Sequence, residues 1–497
     1  MTEVVVGIDV GTQGARVLAV SPQGDVVASA AALFETTWQA LPADHCEQHP
    51  LDWWHATAAC LRRVTDALSN KAYIAGVAAD STSGTIVMVD ARGTPLRPAL
   101  MYNDMRSRPY VAEVRAAGHE LEQRLGYTFN ASFGLPKMLW LTREEPELAS
   151  RANAFIHATD FILGKLSGDF HVTNYSDALK SGYDLIAARW PAFIEHDLGI
   201  PLERLPRVTP PGALIGTVTQ VAAEETGLPA GTRVFSGATD GTAAQIASGA
   251  VEPGAWNTSL GTTLVIKGIT ERLLIDPQGR IYSHRHPEGW WMPGGASNTG
   301  AEWIAREHAH GDLSTLDAAA DQRVPTALIR YPLARTGERF PFIHPEAIGF
   351  IDGETESTDA IDRFAAGLEG TALLERLSYD TLQDIGASVG ASIHTTGGGS
   401  RSVVWLKIRA SALGRTLIRP RVSETAMGAA LLAAGGAWHG SLSTAARQMV
   451  KPDAVVEPDE RLARAYQARY EGFKSALRQR GYWTPAAARP AETQAEQ

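Results

Sequence analysis

The chain has 497 residues, which is enough for two or more globular domains with sizeable hydrophobic cores. Its 44% hydrophobic and 20% charged residues are ordinary for a globular protein, and a net charge of −10 argues against non-specific binding to nucleic acid or to an anionic membrane surface. It contains only two cysteines, so no disulfide framework is expected, and we see no signal peptide. The composition therefore predicts a cytoplasmic protein.

The first half of the chain alternates short apolar runs with segments of helical spacing. The short runs predict strands at residues 4–10, 15–20, 74–79 and 85–89, the first two joined by a tight turn. Apolar spacing predicts a helix at 52–68, and 107–152 is rich in helix formers with a break at Leu135-Pro136. Prolines between 201 and 211 predict a connecting segment.

The second half repeats this alternation. Residues 234–237 predict a strand that runs into Asp240, and 256–266 predict a hairpin that turns at Leu260-Gly261. Helices are predicted at 403–413 and 424–434, and the tail 485–497 is predicted to be disordered. A short strand leading into Asp and then Gly-Thr occurs at residues 7–12 and again at 239–242, which suggests duplicated α/β domains facing one cleft.

The turn after the first strand, Asp9-Val10-Gly11-Thr12, has the residue types of a phosphate-binding loop. Its glycine lets backbone N–H groups approach a phosphate, Thr12 offers a hydroxyl, and Asp9 offers a carboxylate to Mg²⁺. A plain hairpin turn would have the same local sequence, so the motif alone leaves both interpretations open.

Asp240 follows a strand within a run of small residues. A carboxylate in that place can accept a proton from a substrate hydroxyl as its oxygen attacks phosphorus. The alternative is a helix N-cap, for which Asp before Gly-Thr is well suited.

Three further segments offer polar groups or glycines to a ligand. Residues 257–263 form a second glycine- and hydroxyl-bearing turn, 397–400 bring glycines before a helix, and 102–106 combine amide, carboxylate and guanidinium groups. No Gly-Lys-Ser/Thr loop, dinucleotide fingerprint or hydrolase nucleophile motif is present. The pair His284 and His286 has no further ligands at zinc spacing, which excludes a structural zinc site.

In this order, the segments resemble the FGGY carbohydrate kinases over residues 4–438. The matching motifs are Gly7-Ile8-Asp9-Val10-Gly11-Thr12, Glu47-Gln48-His49-Pro50 with Trp53-Trp54, Tyr102-Asn103-Asp104-x-Arg106, Gly237-Ala238-Thr239-Asp240, the turn 257–262, and Gly397-Gly398-Gly399-Ser400-x-Ser402 with the helix after it. The resemblance implies an α/β fold of two ribonuclease-H-like (actin-like ATPase) domains around a central cleft. It also implies ATP and Mg²⁺, a small-molecule sugar substrate, and homodimer formation.

Site residues are carried over from the resemblance position by position. Asp240 is the expected catalytic base, and Asp9 the expected metal ligand. The sugar is expected at Thr82, Ser83, Gly84, Asn103, Asp104 and Asp240. The nucleotide is expected at Gly11, Thr12, Gln13, Arg16, Gly261, Thr262, Gly295, Gly397, Gly398 and Ser402. The expected division is an N-terminal domain at 1–244 for sugar and phosphate, a nucleotide-binding domain at 245–440, a helical extension at 441–484 and the tail.

The identity of the sugar is the most specific of these expectations. Xylulokinases carry Gly-Gln-Met-His-Gly where this chain has Ser81-Thr82-Ser83-Gly84-Thr85, a form more similar to ribulokinases. We therefore predict phosphorylation of D-ribulose at its terminal hydroxyl, with xylulokinase or another polyol or ketose kinase as the alternative. An actin-like ATPase switch is the alternative of another class, and a catalytically silent sugar sensor is a third.

Overall fold

The computed structural model describes residues 3–35, 41–68, 72–309 and 311–484, and the predicted disordered tail lies outside them. Strands of the first half are β1 (Glu3–Val10), β2 (Gly14–Val20), β3 (Val26–Leu33), β4 (Glu47–Gln48), β5 (Tyr73–Ser81), β6 (Ile86–Val89), β7 (Ala99–Leu100), β8 (Ala154–His157), β9 (Val172–Asn174), β10 (Arg207–Thr209), β11 (Leu214–Thr217), β12 (Arg233–Phe235) and β13 (Ala238–Thr239). Its helices are α1 (Pro50–Ala67), α2 (Val111–Ala117), α3 (His119–Leu125), α4 (Gly134–Glu144), α5 (Pro146–Arg151), α6 (Ala158–Ser167), α7 (Tyr175–Ala178), α8 (Phe193–His196), α9 (Gln220–Thr226) and α10 (Asp240–Ala247).

The second half is built from fewer, longer elements. Its strands are β14 (Trp256–Leu260), β15 (Leu264–Gly268), β16 (Ile281–Arg285), β17 (Trp291–Ser297), β18 (Ile329–Tyr331), β19 (Phe350–Asp352), β20 (Ser392–Thr396), β21 (Thr416–Pro420) and β22 (Pro452–Val456). Its helices are α11 (Glu302–Glu307), α12 (Leu313–Asp321), α13 (Ala360–Ile385), α14 (Val403–Leu413), α15 (Thr425–Ala434), α16 (Leu442–Met449) and α17 (Glu460–Gln479). Short 3-10 turns lie at Arg108–Tyr110, Leu179–Ser181, Leu202–Arg204 and Gly398–Arg401, and a π-helical turn at Gly435–His439.

Two central sheets have the same topology. In the first, the order is β11-β12-β5-β1-β2-β3, with β1, β2 and β3 antiparallel and with β5 and β12 parallel to β1. In the second, the order is β16-β17-β15-β14-β20-β21-β22, with β14, β15 and β17 antiparallel and with β20 and β21 parallel to β14. Three antiparallel strands followed by two parallel ones is the ribonuclease-H-like arrangement, so the predicted duplicated α/β fold is confirmed.

The sequence analysis, however, matched the wrong two segments, 7–12 and 239–242, as the internal repeat. The hairpin β14–β15 occupies the same place in the second sheet as β1–β2 in the first, so the turn at Gly261 is the counterpart of the turn at Gly11. Asp240 instead follows β13, which runs parallel to β5, and it begins α10 rather than a hairpin. The shared Asp-Gly-Thr letters therefore mark two different structural positions.

Helix α15, from the second half of the chain, packs on the sheet of the first domain. A Cβ on Gly7 of β1 would lie 1.9 Å from the Ala426 carbonyl oxygen, and one on Gly428 would lie 2.0 Å from the Ala243 carbonyl oxygen of α10. Only glycine allows β1, α15 and α10 to approach so closely. The result is a shared apolar core that fixes the N-terminal ends of α10 and α15 beside the ends of β1 and β5.

The segment after residue 440, predicted to be a helical extension, also contains a strand. Helix α16 joins the shared core, and β22 pairs with β21 at the edge of the second sheet. Helix α17 packs into the hydrophobic core of the second domain. No helix in the described part of the chain is long and apolar enough to cross a lipid bilayer.

Candidate active site

Hydrogen bonds to its backbone fix the conformation of the turn between β1 and β2. The Gly11 N–H donates to the Gly14 carbonyl (3.0 Å), and the side chain of Gln48 donates to the Thr12 carbonyl (2.7 Å). Trp53 in turn donates from its indole N–H to the Gln48 amide oxygen (2.8 Å). Gln48 and Trp53, which belong to a motif of the family resemblance, thus support the turn. The side chains of Thr12 and Gln13 remain exposed.

Three carboxylates gather where β1, β5 and α10 meet. Asp9 stands in register between Arg16 on β2 and Asp80 on β5, and the Arg16 guanidinium is 3.3 Å from the Asp9 carboxylate. Asp80 is completely buried, and neither of its carboxylate oxygens has a hydrogen-bond partner in the described structure. Burial raises the pKa of Asp80 well above its usual value, and the nearby charges of Asp9 and Asp240 raise it further.

Asp9 is buried but, unlike Asp80, keeps a small part of its surface exposed. Burial raises its pKa, while the Thr425 hydroxyl at the start of α15 and the Arg16 guanidinium act in the opposite direction. Among the described residues there is no group of three side chains arranged to hold a metal by themselves. A lone accessible carboxylate with a second one behind it fits Mg²⁺, which keeps several waters and takes substrate phosphate oxygens as ligands. Zinc, which requires a fuller set of protein ligands, does not fit.

The second hairpin turn is braced by the beginning of α11. The Ala301 N–H donates to the Gly261 carbonyl (2.8 Å), and the Glu302 N–H donates to the Thr262 carbonyl (3.3 Å). A Cβ on Gly300 would lie 2.5 Å from the Thr262 carbonyl oxygen, so this position requires glycine. The two predicted phosphate turns therefore have similar geometry, although the brace at residues 300–302 was not foreseen from the sequence.

Gly397 and Gly398, which follow β20, have different roles. Gly397 has φ +83°, and a Cβ there would lie 2.5 Å from the Leu260 carbonyl oxygen, so it packs the loop against the second hairpin. Gly398 is exposed and has open space around it, as expected of backbone that a nucleotide approaches. The Ser402 hydroxyl accepts the N–H of Trp405 (3.0 Å) and caps α14.

Gly295 does not belong to the nucleotide loops. It lies within β17 between Ile266 and Ile281, and a Cβ there would lie 2.8 Å from the ring of Phe340. The glycine makes room for the aromatic ring of Phe340, and its role in nucleotide binding stays a prediction.

Asp240 begins α10 and faces a cationic side chain from the other domain. Its carboxylate accepts the Gly241 N–H (2.6 Å), and the N-cap position is taken by Thr239, one residue earlier than the predicted alternative. A Cβ on Gly241 would lie 2.8 Å from the ammonium nitrogen of Lys267 on β15. Burial raises the pKa of Asp240, whereas Lys267 and Lys180 lower it, so a carboxylate of increased basicity faces the cleft.

The loop after β5 presents one free hydroxyl. Thr82 and Thr85 share a hydrogen bond between their hydroxyls (3.0 Å), whereas the buried Ser83 hydroxyl has no partner in the described structure. Gly84 has φ +82°, and a Cβ there would lie 2.4 Å from the Ser132 carbonyl oxygen. Of the predicted sugar-binding side chains in this loop, Ser83 is therefore the one left to bind a ligand.

Asp104 is held by its neighbours in the protein. It is completely buried, and its carboxylate accepts hydrogen bonds from the Cys46 N–H (2.7 Å) and from the Arg106 guanidinium (2.8–3.1 Å). These contacts fix the loop on which Asn103 is exposed. The sugar-binding role of Asp104 stays a prediction, and Asn103 is the more accessible group of that segment.

Four residues of the site were missed by the sequence analysis. Asp80, Lys180 and Lys267 lie outside every quoted motif and act on the Asp240 carboxyl, and His284, considered above only as a zinc ligand, lies near the two lysines. One signal was present in the sequence, because a single lysine ends the otherwise apolar run Leu264-Val265-Ile266-Lys267.

Comparison with known proteins agrees with this geometry. Residues 4–247 match the family model for the N-terminal domain of the FGGY family of carbohydrate kinases, and residues 256–437 match the model for its C-terminal domain. A xylulose kinase of Streptomyces rubiginosus is 31% identical over 87% of both chains, and one of Bacillus subtilis is 26% identical over 95% of this chain and 96% of its own. The crystal structure of xylulose kinase from Rhodospirillum rubrum has a TM-score of 0.84 at 27% identity, over 96% of this chain and 98% of that one.

Proposed function

Because the chain belongs to the FGGY family of carbohydrate kinases, we propose that it transfers the γ-phosphoryl group of ATP to a hydroxyl of a five-carbon ketose, with Asp240 as the base. The family membership makes it a phosphotransferase that acts on a sugar. Most of the relatives are xylulose kinases, which favours D-xylulose, the alternative that the sequence analysis retained, over its first choice of D-ribulose.

The observation that carries the proposal is the position of Asp240. Its carboxylate lies at the start of α10, near Asp9 and opposite Lys267 of the second domain, with the Gly241 N–H fixing one oxygen. The other oxygen is left to accept a proton from a sugar hydroxyl. The raised pKa of Asp240 increases its basicity while Lys267 and Lys180 limit the rise, which suits a base that works near neutral pH.

The two braced hairpin turns are the supports for the phosphates. Thr12 and Gln13 are exposed on one turn and Thr262 on the other, and backbone N–H groups at such turns favour anionic oxygens. Gly398 offers an open approach for the rest of the nucleotide. Mg²⁺ at Asp9 would neutralise charge on the phosphates. We assign the first domain to the sugar and the second to the nucleotide.

The transfer needs few groups. Asp240 takes the proton as the sugar oxygen forms its bond to the γ-phosphorus and the bond to the ADP oxygen breaks. Ser83 and Asn103 are the groups of the sugar-side loops left to orient the substrate. Positioning and charge neutralisation supply most of the acceleration in reactions of this kind.

The experiment is coupled ADP release with MgATP across D-xylulose, D-ribulose, L-ribulose, L-xylulose, ribitol, glycerol and a sugar-free control. We expect one ketopentose to give turnover far above the control, and Asp240→Asn to lose about 10²–10⁴-fold in kcat while ATP affinity is retained. Asp25→Asn, at a surface carboxylate paired with Arg421, is the matched control. Equal turnover with and without sugar would instead support an ATPase switch.

A further inference from the structure

The strand that leads into Asp240 is short and is supported from outside its own sheet. β13 has only two residues, and both pair with β5. Two side chains from the neighbouring helices hold its backbone. The Ser176 hydroxyl of α7 accepts the Thr239 N–H (3.0 Å), and the Thr159 hydroxyl of α6 donates to the Ala238 carbonyl (3.4 Å). The position of the backbone beside Asp240 therefore depends on how α6 and α7 are placed.

A histidine that the proposed mechanism does not use links these two helices. His157, the last residue of β8, is completely buried. Its Nδ1 lies 2.7 Å from the Asp160 carboxylate of α6, which also accepts the His157 backbone N–H (2.9 Å). Its Nε2 lies 2.8 Å from the hydroxyl of Ser181, in the 3-10 turn that continues α7. One imidazole ring thus contacts both of the helices that support β13.

The charges around the ring favour its protonated form. Burial acts to lower the pKa of His157, but Asp160 outweighs burial, and the pKa is raised above its usual value. Both ring nitrogens are then donors, one toward Asp160 and one toward Ser181. Asp177 of α7 is the second carboxylate that acts on the ring; burial raises the pKa of Asp177 to about 7, and His157 acts in the opposite direction. All four side chains are buried, so none of them contacts a ligand in the cleft.

We propose that His157 is a positioning residue for the phosphoryl transfer, which holds α7 against α6 and thereby fixes the backbone that carries Asp240. This inference rests on the proposed kinase function. A buried ionic group adds little stability over an apolar one, and in some proteins it is retained because it specifies one arrangement of the chain. Here the arrangement places the Ser176 hydroxyl next to the Thr239 N–H. Because a misplacement of about 1 Å can lower a rate by about 10²-fold, a small shift of α7 is enough to affect turnover.

Two substitutions of His157 separate its two side-chain hydrogen bonds. The side-chain nitrogen of glutamine reaches the place of Nε2 and can donate to Ser181, whereas that of asparagine reaches only the place of Nδ1. His157→Gln therefore keeps the link to α7, and His157→Asn loses it. Ser176→Ala removes the acceptor beside β13. Ser378→Ala, at a completely buried serine of α13 that bonds within its own helix (2.8 Å), controls for the loss of a buried hydroxyl.

Three measurements are made on the full-length protein. ADP release is followed at saturating MgATP and the best ketose, well below the thermal midpoint of every variant. Calorimetric titration gives the affinity for ATP. Hydrogen exchange of the Thr239 amide, followed by mass spectrometry without substrate, reports on β13 independently of turnover.

We expect kcat to fall about 10- to 100-fold in His157→Asn and Ser176→Ala, but not in His157→Gln or Ser378→Ala, because only the first two release the backbone beside Asp240. The affinity for ATP and its KM should stay within about twofold, since the lost interaction acts on the transition state alone. The Thr239 amide should exchange faster in the same two variants. Their double variant should lose no more kcat than either single one, because both substitutions break the same chain of contacts.

Equal losses of kcat in His157→Gln and His157→Asn would overturn the inference, because the ring would then not act through Ser181. Unchanged kcat in His157→Asn, or a loss that matches a smaller folded fraction, would overturn it as well. All of these outcomes leave the kinase function intact. If the wild-type protein releases no ADP with any sugar, the kinase function fails, and exchange of the Thr239 amide alone decides whether His157 positions β13.

Discussion

Replacing Asp80 by Asn should stabilise the nucleotide-free protein, because it removes a completely buried carboxylate that lies close to the negative charges of Asp9 and Asp240. Both Asp80 oxygens lack a hydrogen-bond partner, and the neighbouring residue across the sheet is Asp9, itself a carboxylate. An amide can donate an N–H to Asp9 instead of repelling it. Leaving a buried polar group unsatisfied costs about 1–3 kcal/mol, so we expect the free energy of unfolding to rise by about that amount at pH 8.

The effect should depend on pH in a defined direction. The folded protein holds a proton on Asp80 more tightly than the unfolded chain does, because its pKa is raised above 3.8 in the fold. The destabilisation is therefore absent below the unfolded pKa, grows as pH rises toward the folded pKa, and is complete above it. The advantage of Asp80→Asn should be smallest near pH 4 and largest at pH 8.

The assay is urea unfolding in EDTA, so that no divalent cation binds the site, followed by fluorescence from pH 4 to pH 8. Asp25→Asn is the matched control, because Arg421 and Lys451 lower the pKa of Asp25 and the same exchange should not stabilise the protein there. If Asp80→Asn is no more stable than the wild type at pH 8, the carboxylate is compensated and our description of the acidic cluster is wrong.

Three further predictions concern the packing of β1, the first hairpin turn and the pH dependence of the catalytic base. Gly7→Ala would place a Cβ 1.9 Å from the Ala426 carbonyl oxygen and should cost at least about 3 kcal/mol, seen as a large loss of thermal stability; a near wild-type melt would contradict the packing described. Gln48→Leu removes the hydrogen bond to the Thr12 carbonyl and should raise KM for ATP about 5- to 10-fold, while an unchanged KM would show that the turn does not need its brace. Burial raises the pKa of Asp240, so kcat/KM should fall with decreasing pH through a pKa above 3.8, and a profile flat down to pH 4 would exclude Asp240 as the base.

The hairpins of the duplicated fold were predictable because their signals are local. Each hairpin is encoded by two short apolar runs around a glycine turn, and the residues that touch are a few positions apart, as in Gly11 and Gly14. The positions of Asp9, Thr12 and Asp240 followed from the same local patterns and from the order of motifs. Their partnership in one site remains a prediction that kinetics will test.

The remaining site residues depend on contacts between distant parts of the chain. Asp80 meets Asp9 only because β5 pairs in parallel with β1 in one register, and no local pattern fixes that register. Asp104 was predicted to bind sugar, and its carboxylate also accepts the N–H of Cys46, 58 residues away. Gly295 was predicted at the nucleotide, and it also accommodates Phe340. Such contacts depend on the three-dimensional neighbours of a residue, which composition and spacing do not supply.

Two buried carboxylates away from the cleft are well compensated. Arg409 and Glu375 are both completely buried and form a two-point ion pair, and the Arg409 guanidinium also donates to the Thr395 hydroxyl (2.9 Å). Glu369 accepts from the Thr326 and Tyr466 hydroxyls. These groups satisfy one another, so they stabilise a unique arrangement of the core and leave nothing for a ligand to bind.

Several polar atoms near the carboxylate cluster have no partner in the described structure, as do buried polar atoms in other parts of it. Asp80, Ser83 and His284 each have a buried polar atom without a partner in the described structure, and Lys267 has an ammonium group without a contact ion pair. They come from both domains and from separate stretches of sequence. Because folding alone gains nothing from leaving these groups unpaired, they are available to a ligand that enters the site.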